Sequence, residues 1–162
     1  MKKLTICAVA VSGLFAAQAN AGDVQLVGFV APVCEVSGLY TQLLDFGQVS
    51  SIQSVSTDLS IQCNDADGAT VTLTSAEGGL ESDDKEDYAI GYTATLSPDS
   101  HADLVLTTLG GPGANDVSAS MSYSGSLALA GGVPTSLSVT TNETMGWSGG
   151  YSDTLTVQVT AN

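Results

Sequence analysis

The chain has no arginine: its 162 residues hold 17 acidic side chains against three lysines, Lys2, Lys3 and Lys85, for a net charge of −14. That balance argues against a nucleic-acid ligand, because such binding rests on a basic footprint that replaces phosphate counterions. Phosphate chemistry leans on Lys or Arg, and beyond the N-terminal pair only Lys85 is on offer. His101 is the single histidine, which excludes multi-histidine metal sites. Charged residues make up 12% of the chain and aromatics 6%, so the polar surface falls largely to Ser, Thr, Gly, Asn and Gln. No Gly-x-Ser-x-Gly motif occurs, and no amphipathic helix stands out after Ala21. No enzymatic activity, cofactor or metal is expected.

What is present begins with a targeting pattern. Lys2 and Lys3 precede an apolar run from Leu4 to Ala17, and Ala19-Asn20-Ala21 has the small-x-small form of a cleavage site. The expected signal peptide is 1–21, with the mature chain starting at Gly22. The apolar run is short for a membrane span and a polar, turn-rich sequence follows it. Removing 21 of 162 residues leaves 141, enough for one domain with a sizeable core. Lys85 is then the sole cation against 17 acids, a net charge of −16. Two cysteines remain, Cys34 and Cys63, and an even count in an exported chain reads as one disulfide.

The dominant pattern is alternation with period two. Val24, Leu26, Gly28 and Val30 share one face, as do Val55, Thr57, Leu59, Ile61 and Cys63. Val71 and Leu73 lie in a Thr-rich run; Tyr88, Ile90, Tyr92, Ala94 and Leu96 alternate; so do Val117, Ala119, Met121 and Tyr123. Leu127 and Leu129 follow, then Leu137 and Val139, and finally Tyr151, Asp153, Leu155, Val157 and Val159. Turn signals separate the runs, among them Asn64-Asp65-Ala66-Asp67-Gly68 and Gly110-Gly111-Pro112-Gly113. The fold expected is an all-β antiparallel sandwich. The last run reaches almost to Asn162, and the expectation is that no further strand follows it.

Four stretches resemble pilin subunits of the chaperone–usher class. Asp23 to Cys34 is similar to the family's donor segment, with apolar residues alternating around a glycine ahead of the first cysteine. Leu44 to Ser50 resembles the short strand with a Phe-Gly pair, and Leu59 to Cys63 the strand that carries the second cysteine. Gly149 to Val159 resembles the closing strand, and its Tyr-x-Asp-Thr-Leu-Thr-Val form is similar to the spore-coat-U branch. One departure is Ala161, where the family usually has a tyrosine next to last.

The resemblance implies an incomplete immunoglobulin-like sandwich, covering 34–162, whose open groove is filled by a donor strand. It implies a periplasmic chaperone, an outer-membrane usher and neighbouring subunits as partners. The chain would pass through the periplasm to a cell-surface fimbria that supports adhesion and biofilm. Residues 22–33 would be the donor segment, with Val24, Leu26, Gly28 and Val30 projecting into the next subunit. Leu155, Val157 and Val159 would form the acceptor groove. A chain of this length suits a shaft or minor subunit better than a two-domain tip adhesin. The alternative is an exported, closed, monomeric β-sandwich that binds a carbohydrate or a surface polymer; Trp147 and Tyr88, Tyr92, Tyr123 and Tyr151 could face a sugar, though core or rim packing is the simpler account of them.

Lesser signals have plainer readings. Asn64 to Gly68 has the start of a calcium loop, but the twelfth position is Ser75 where a bidentate acid is needed, so a polar turn is expected. Asp83, Asp84, Glu86 and Asp87 around Lys85 read as a solvated loop. His101, flanked by Asp99 and Asp103, has no recognisable nucleophile partner.

Overall fold

The computed structural model describes residues 24–39, 42–84, 88–144 and 147–162; the expected signal peptide 1–21 and the Lys85–Asp87 part of the acidic loop lie outside them. Residues up to Val30 and residues Ala31–Asn162 form separate units. In the first, Val24–Val30 carry no regular secondary structure and are exposed.

Among the described residues the second unit is all-β apart from one short helix. Its strands are β1 (Cys34–Ser37), β2 (Ser54–Cys63), β3 (Ala69–Ser75), β4 (Leu80–Ser82), β5 (Tyr88–Ile90), β6 (Tyr92–Pro98), β7 (Leu104–Thr107), β8 (Gly110–Pro112), β9 (Val117–Tyr123), β10 (Val133–Thr141), β11 (Tyr151–Ser152) and β12 (Leu155–Ala161), with α1 at Leu127–Gly131. All ladders are antiparallel. They form a five-stranded sheet in the order β1-β2-β10-β6-β7, a three-stranded sheet β12-β3-β9, and a small sheet β11-β4-β5-β8.

Alternation builds the core. Leu59, Ile61 and Cys63 of β2, Leu137 and Val139 of β10, Ala94 and Leu96 of β6, and Leu104 and Leu106 of β7 point inward from the first sheet. Val71 and Leu73 of β3 join them from the second, in one continuous apolar cluster. Polar neighbours on the same strands face out, and several are zipped across strands, as Thr72 is to Ser120 at 2.8 Å. At one flank of this two-layer packing β7 comes near β9, and at the other β1 comes near β12.

Cys34 and Cys63 are bonded, and they face each other directly in the β1–β2 ladder. Cys63 is fully buried. A buried bridge points to a non-reducing environment for the folded chain. No helix among the described residues is long and apolar enough to cross a membrane.

Three expectations from periodicity are corrected. The Tyr88–Leu96 run is two strands in two sheets, β5 and β6, parted at Gly91. A Cβ there would lie 2.8 Å from the carbonyl oxygens of both Thr108 and Leu109, so the chain crosses between sheets where only glycine fits. Leu127 and Leu129 belong to α1, not to a strand: the Ser126 hydroxyl accepts from the Leu129 N–H at 3.0 Å and caps the turn. Leu129 is buried and Leu127 is exposed, as a helical turn dictates. The closing run is likewise split into β11 and β12, with Asp153 and Thr154 between them.

Candidate functional site

β12 is the edge of its sheet, paired with β3 from Leu155↔Ser75 to Ala161↔Ala69. Among the described residues its other side has no ladder partner. Its inward residues Leu155, Val157 and Val159 are only half-buried, whereas Val71 and Leu73 of β3 are fully buried. Beside this edge lies a cavity of about 940 Å³.

Leu155, Thr156 and Val157 line one side of the cavity, and Val36, Leu39 and the stretch Gln42–Ser50 line another. Core residues Leu80, Tyr92, Leu137 and Val139 also line it, so the cavity opens directly onto the interior. Its rim is wet: Leu43 is 89% and Trp147 60% exposed. A strand edge without a ladder partner, carrying half-buried apolar side chains, is a liability for a protein in water, and such a groove is a ready site for strand addition.

The Gln42–Ser50 wall is not the short strand that the resemblance led us to expect. It is irregular, held by Thr57 Oγ1 donating to Gln42 Oε1 at 2.7 Å and by an Asp45 turn in which Gly47 N–H donates to Oδ1 at 2.8 Å. Phe46 and Val49 pack against the core from it.

The groove has one polar end, built on Asp153. Its Oδ2 accepts from Ser75 Oγ and from Tyr92 Oη, both at 2.6 Å. Its Oδ1 accepts from the N–H groups of Glu77 at 3.0 Å and Thr154 at 2.7 Å. One carboxylate thereby ties β3, β6 and the β11–β12 junction together. Burial, and then the hydrogen bond to Asp153, push the Tyr92 phenol above the usual tyrosine range. The neighbouring Glu77 carboxyl is raised, first by the Glu81 charge.

Of the acceptor residues expected, Leu155 and Val157 line the cavity, and Val159 shares their face but packs against the core beyond it. The donor residues Val24, Leu26 and Val30 are 83%, 90% and 81% exposed, and a Cβ on Gly28 would meet nothing within 4 Å. Val27 and Phe29, at the intervening positions, are as exposed. Sequence reasoning missed the Asp153 node. Its signal was there: Asp153 is a carboxylate at an inward position of an otherwise apolar alternation.

The remaining candidates have local roles. The His101 and Tyr123 rings meet in a T-shaped pair with centroids 5.4 Å apart, and His101 Nδ1 lies 2.8 Å from the Asp99 carbonyl. In the Asn64–Gly68 turn, Asp65 Oδ1 accepts from Asp67 N–H at 2.8 Å. Gly68 holds φ +103° there, and a Cβ would strike the Tyr123 carbonyl. Asp83 and Asp84 are exposed, and Asp83 N–H donates to the Gly150 carbonyl at 2.9 Å. Trp147 and Tyr151 are joined through a bond from Tyr151 Oη to the Trp147 carbonyl at 3.0 Å.

No family model matches the sequence, and no curated protein matches it.

Proposed function

We propose that this protein is a non-enzymatic structural subunit of an extracellular fimbria, built by donor-strand exchange on an incomplete immunoglobulin-like sandwich. The observation that carries this reading is the edge of β12, without a ladder partner among the described residues, beside a cavity that opens onto the core. Seven residues of β12 offer an edge of about 23 Å at roughly 3.3 Å per residue. Val24–Val30 is a segment of equal length, exposed and without a ladder of its own. Backbone hydrogen bonds to the β12 edge would supply affinity, and side chains entering the cavity would set register. Donation from one copy to the next is a heterologous contact that does not close, so it yields a filament.

In this reading a signal peptide directs export, a periplasmic chaperone covers the groove first, and an outer-membrane usher exchanges the chaperone for the next subunit. The disulfide suits that oxidising route.

The test uses the product of the full-length chain and a synthetic peptide of residues 22–33. The peptide should bind, protect the β12 amides from exchange and raise Tm. At a peptide concentration 100 times Kd the gain is about 2.7 kcal/mol. A chain that is stable and monodisperse alone and indifferent to the peptide refutes the reading and favours the closed binding module.

A further inference from the structure

We propose that Asn64 is a positioning residue that directs the N-terminal segment to a second copy of the chain rather than back into its own groove; this rests on the strand-donation reading. Asn64 makes three bonds to the residues just ahead of Cys34. Its N–H donates to the Val33 carbonyl at 2.9 Å, its Oδ1 accepts from the Val33 N–H at 2.9 Å, and its Nδ2 donates to the Ala31 carbonyl at 2.7 Å. Together they carry the Cys34↔Cys63 register one pair further, to Val33, and tether Ala31 to the same residue.

That line has a direction. β2 ends at Cys63, the Asn64–Gly68 turn follows, and β3 begins at Ala69, which pairs with Ala161 of β12. Asn162 closes on the same turn: its N–H donates to the Gly68 carbonyl at 3.2 Å and its Nδ2 to the Asp67 carbonyl at 3.2 Å. Ala31 and the C-terminal end of β12 therefore sit at one end of the domain, on one turn. The cavity lies further back along β12, at Val157, Thr156 and Leu155. Upstream of Cys34 the line of β1 points away from Leu155 and Val157. For the whole of 24–30 to lie along its own β12, the chain would have to turn back within Ala31–Val33, at the expense of the Asn64 side-chain bonds.

The residue type fits the task. Asparagine supplies an acceptor for Val33 N–H and a donor for the Ala31 carbonyl at once, whereas aspartate supplies only acceptors. Removing the amide costs self-insertion two fewer hydrogen bonds, which corresponds to roughly a tenfold shift in the partition between self-filled monomer and polymer.

The experiment compares the parent with Asn64→Ala and Asn64→Asp, all expressed from the full-length sequence. One readout is amide exchange at Val33. The other is the fraction of monomer that no longer takes up the 22–33 peptide, measured by native mass spectrometry. Asn64→Ala should speed exchange at Val33 and raise the peptide-refractory monomer about tenfold, with Asn64→Asp between it and the parent. Should Asn64→Ala not fold, the Asn64→Asp partition decides. Unchanged Val33 exchange, or faster exchange with an unchanged partition, overturns the steering role while parent polymers still form. A parent that neither polymerises nor takes the peptide brings down the strand-donation reading as well.

Discussion

Asp153→Ala should destabilise the domain by about 3–5 kcal/mol, because it strips the acceptor from donors on two nearly fully buried residues. Ser75 is 0% and Tyr92 2% exposed, and both donate to Asp153 Oδ2. Each buried donor left unpaired costs about 1–3 kcal/mol, and hydrogen bonds to a charged acceptor lie at the upper end. The N–H groups of Glu77 and Thr154 are nearer the surface, where water replaces the carboxylate at little cost. Asp153→Asn keeps the shape and one carbonyl acceptor, so about half of the loss is expected. Urea unfolding of the disulfide-bonded chain, saturated with the 22–33 peptide, measures this directly. For a small domain the midpoint should fall by roughly 2 M for Asp153→Ala.

The same node predicts an alkaline limb. The Tyr92 pKa is raised in the folded state, so the folded chain keeps a proton that the unfolded chain releases near pH 10. That contribution is whole below about pH 10 and fades as pH climbs toward the folded-state pKa. Each pH unit in that window removes up to about 1.4 kcal/mol per such group. Tyr92→Phe should flatten the limb, leaving a residue from Tyr123, whose phenol is raised by burial and then by Asp103. A loss under about 1 kcal/mol for Asp153→Ala, or an unaltered alkaline limb in Tyr92→Phe, would refute the view that one carboxylate holds this end of the groove.

Cys34→Ser should lower stability by about 3–4 kcal/mol, the chain-entropy value for a bridge of this sequence separation, and sharply reduce the yield of folded protein; unchanged denaturation midpoints would dismiss a structural role. Gly28→Arg should leave the fold intact, since a Cβ there meets nothing within 4 Å, yet block strand insertion; normal filaments from that variant by electron microscopy would show that the register around Gly28 is wrong.

Most strands were legible because a two-faced sheet imposes its period on the chain. β2, β3, β9, β10 and β12 fall where apolar and polar residues alternate, and their inward residues are those the alternation names. The pairing of Cys34 with Cys63 followed from there being two cysteines in a chain read as exported. The failures have a common source. Alternation is blind to a sheet change, so Tyr88–Leu96 read as one strand although Gly91 moves the chain to another sheet. It also reads two leucines at spacing two as a strand, although a capping serine turns Leu127–Gly131 into a helix.

By itself, then, the sequence determined the all-β class, the strand faces, the bridge and the acidic, arginine-free surface, because each depends on residue type and local spacing alone. Only the tertiary structure decided that the β12 edge has no ladder partner among the described residues, that Gln42–Ser50 is an irregular wall, and that Asp153 and Asn64 act as clamps. Those properties rest on contacts between residues far apart in the chain, Asp153 with Ser75 and Tyr92, and Asn64 with Ala31 and Val33. Local spacing carries no record of which distant donor will meet which acceptor; the packing of the sheets sets that.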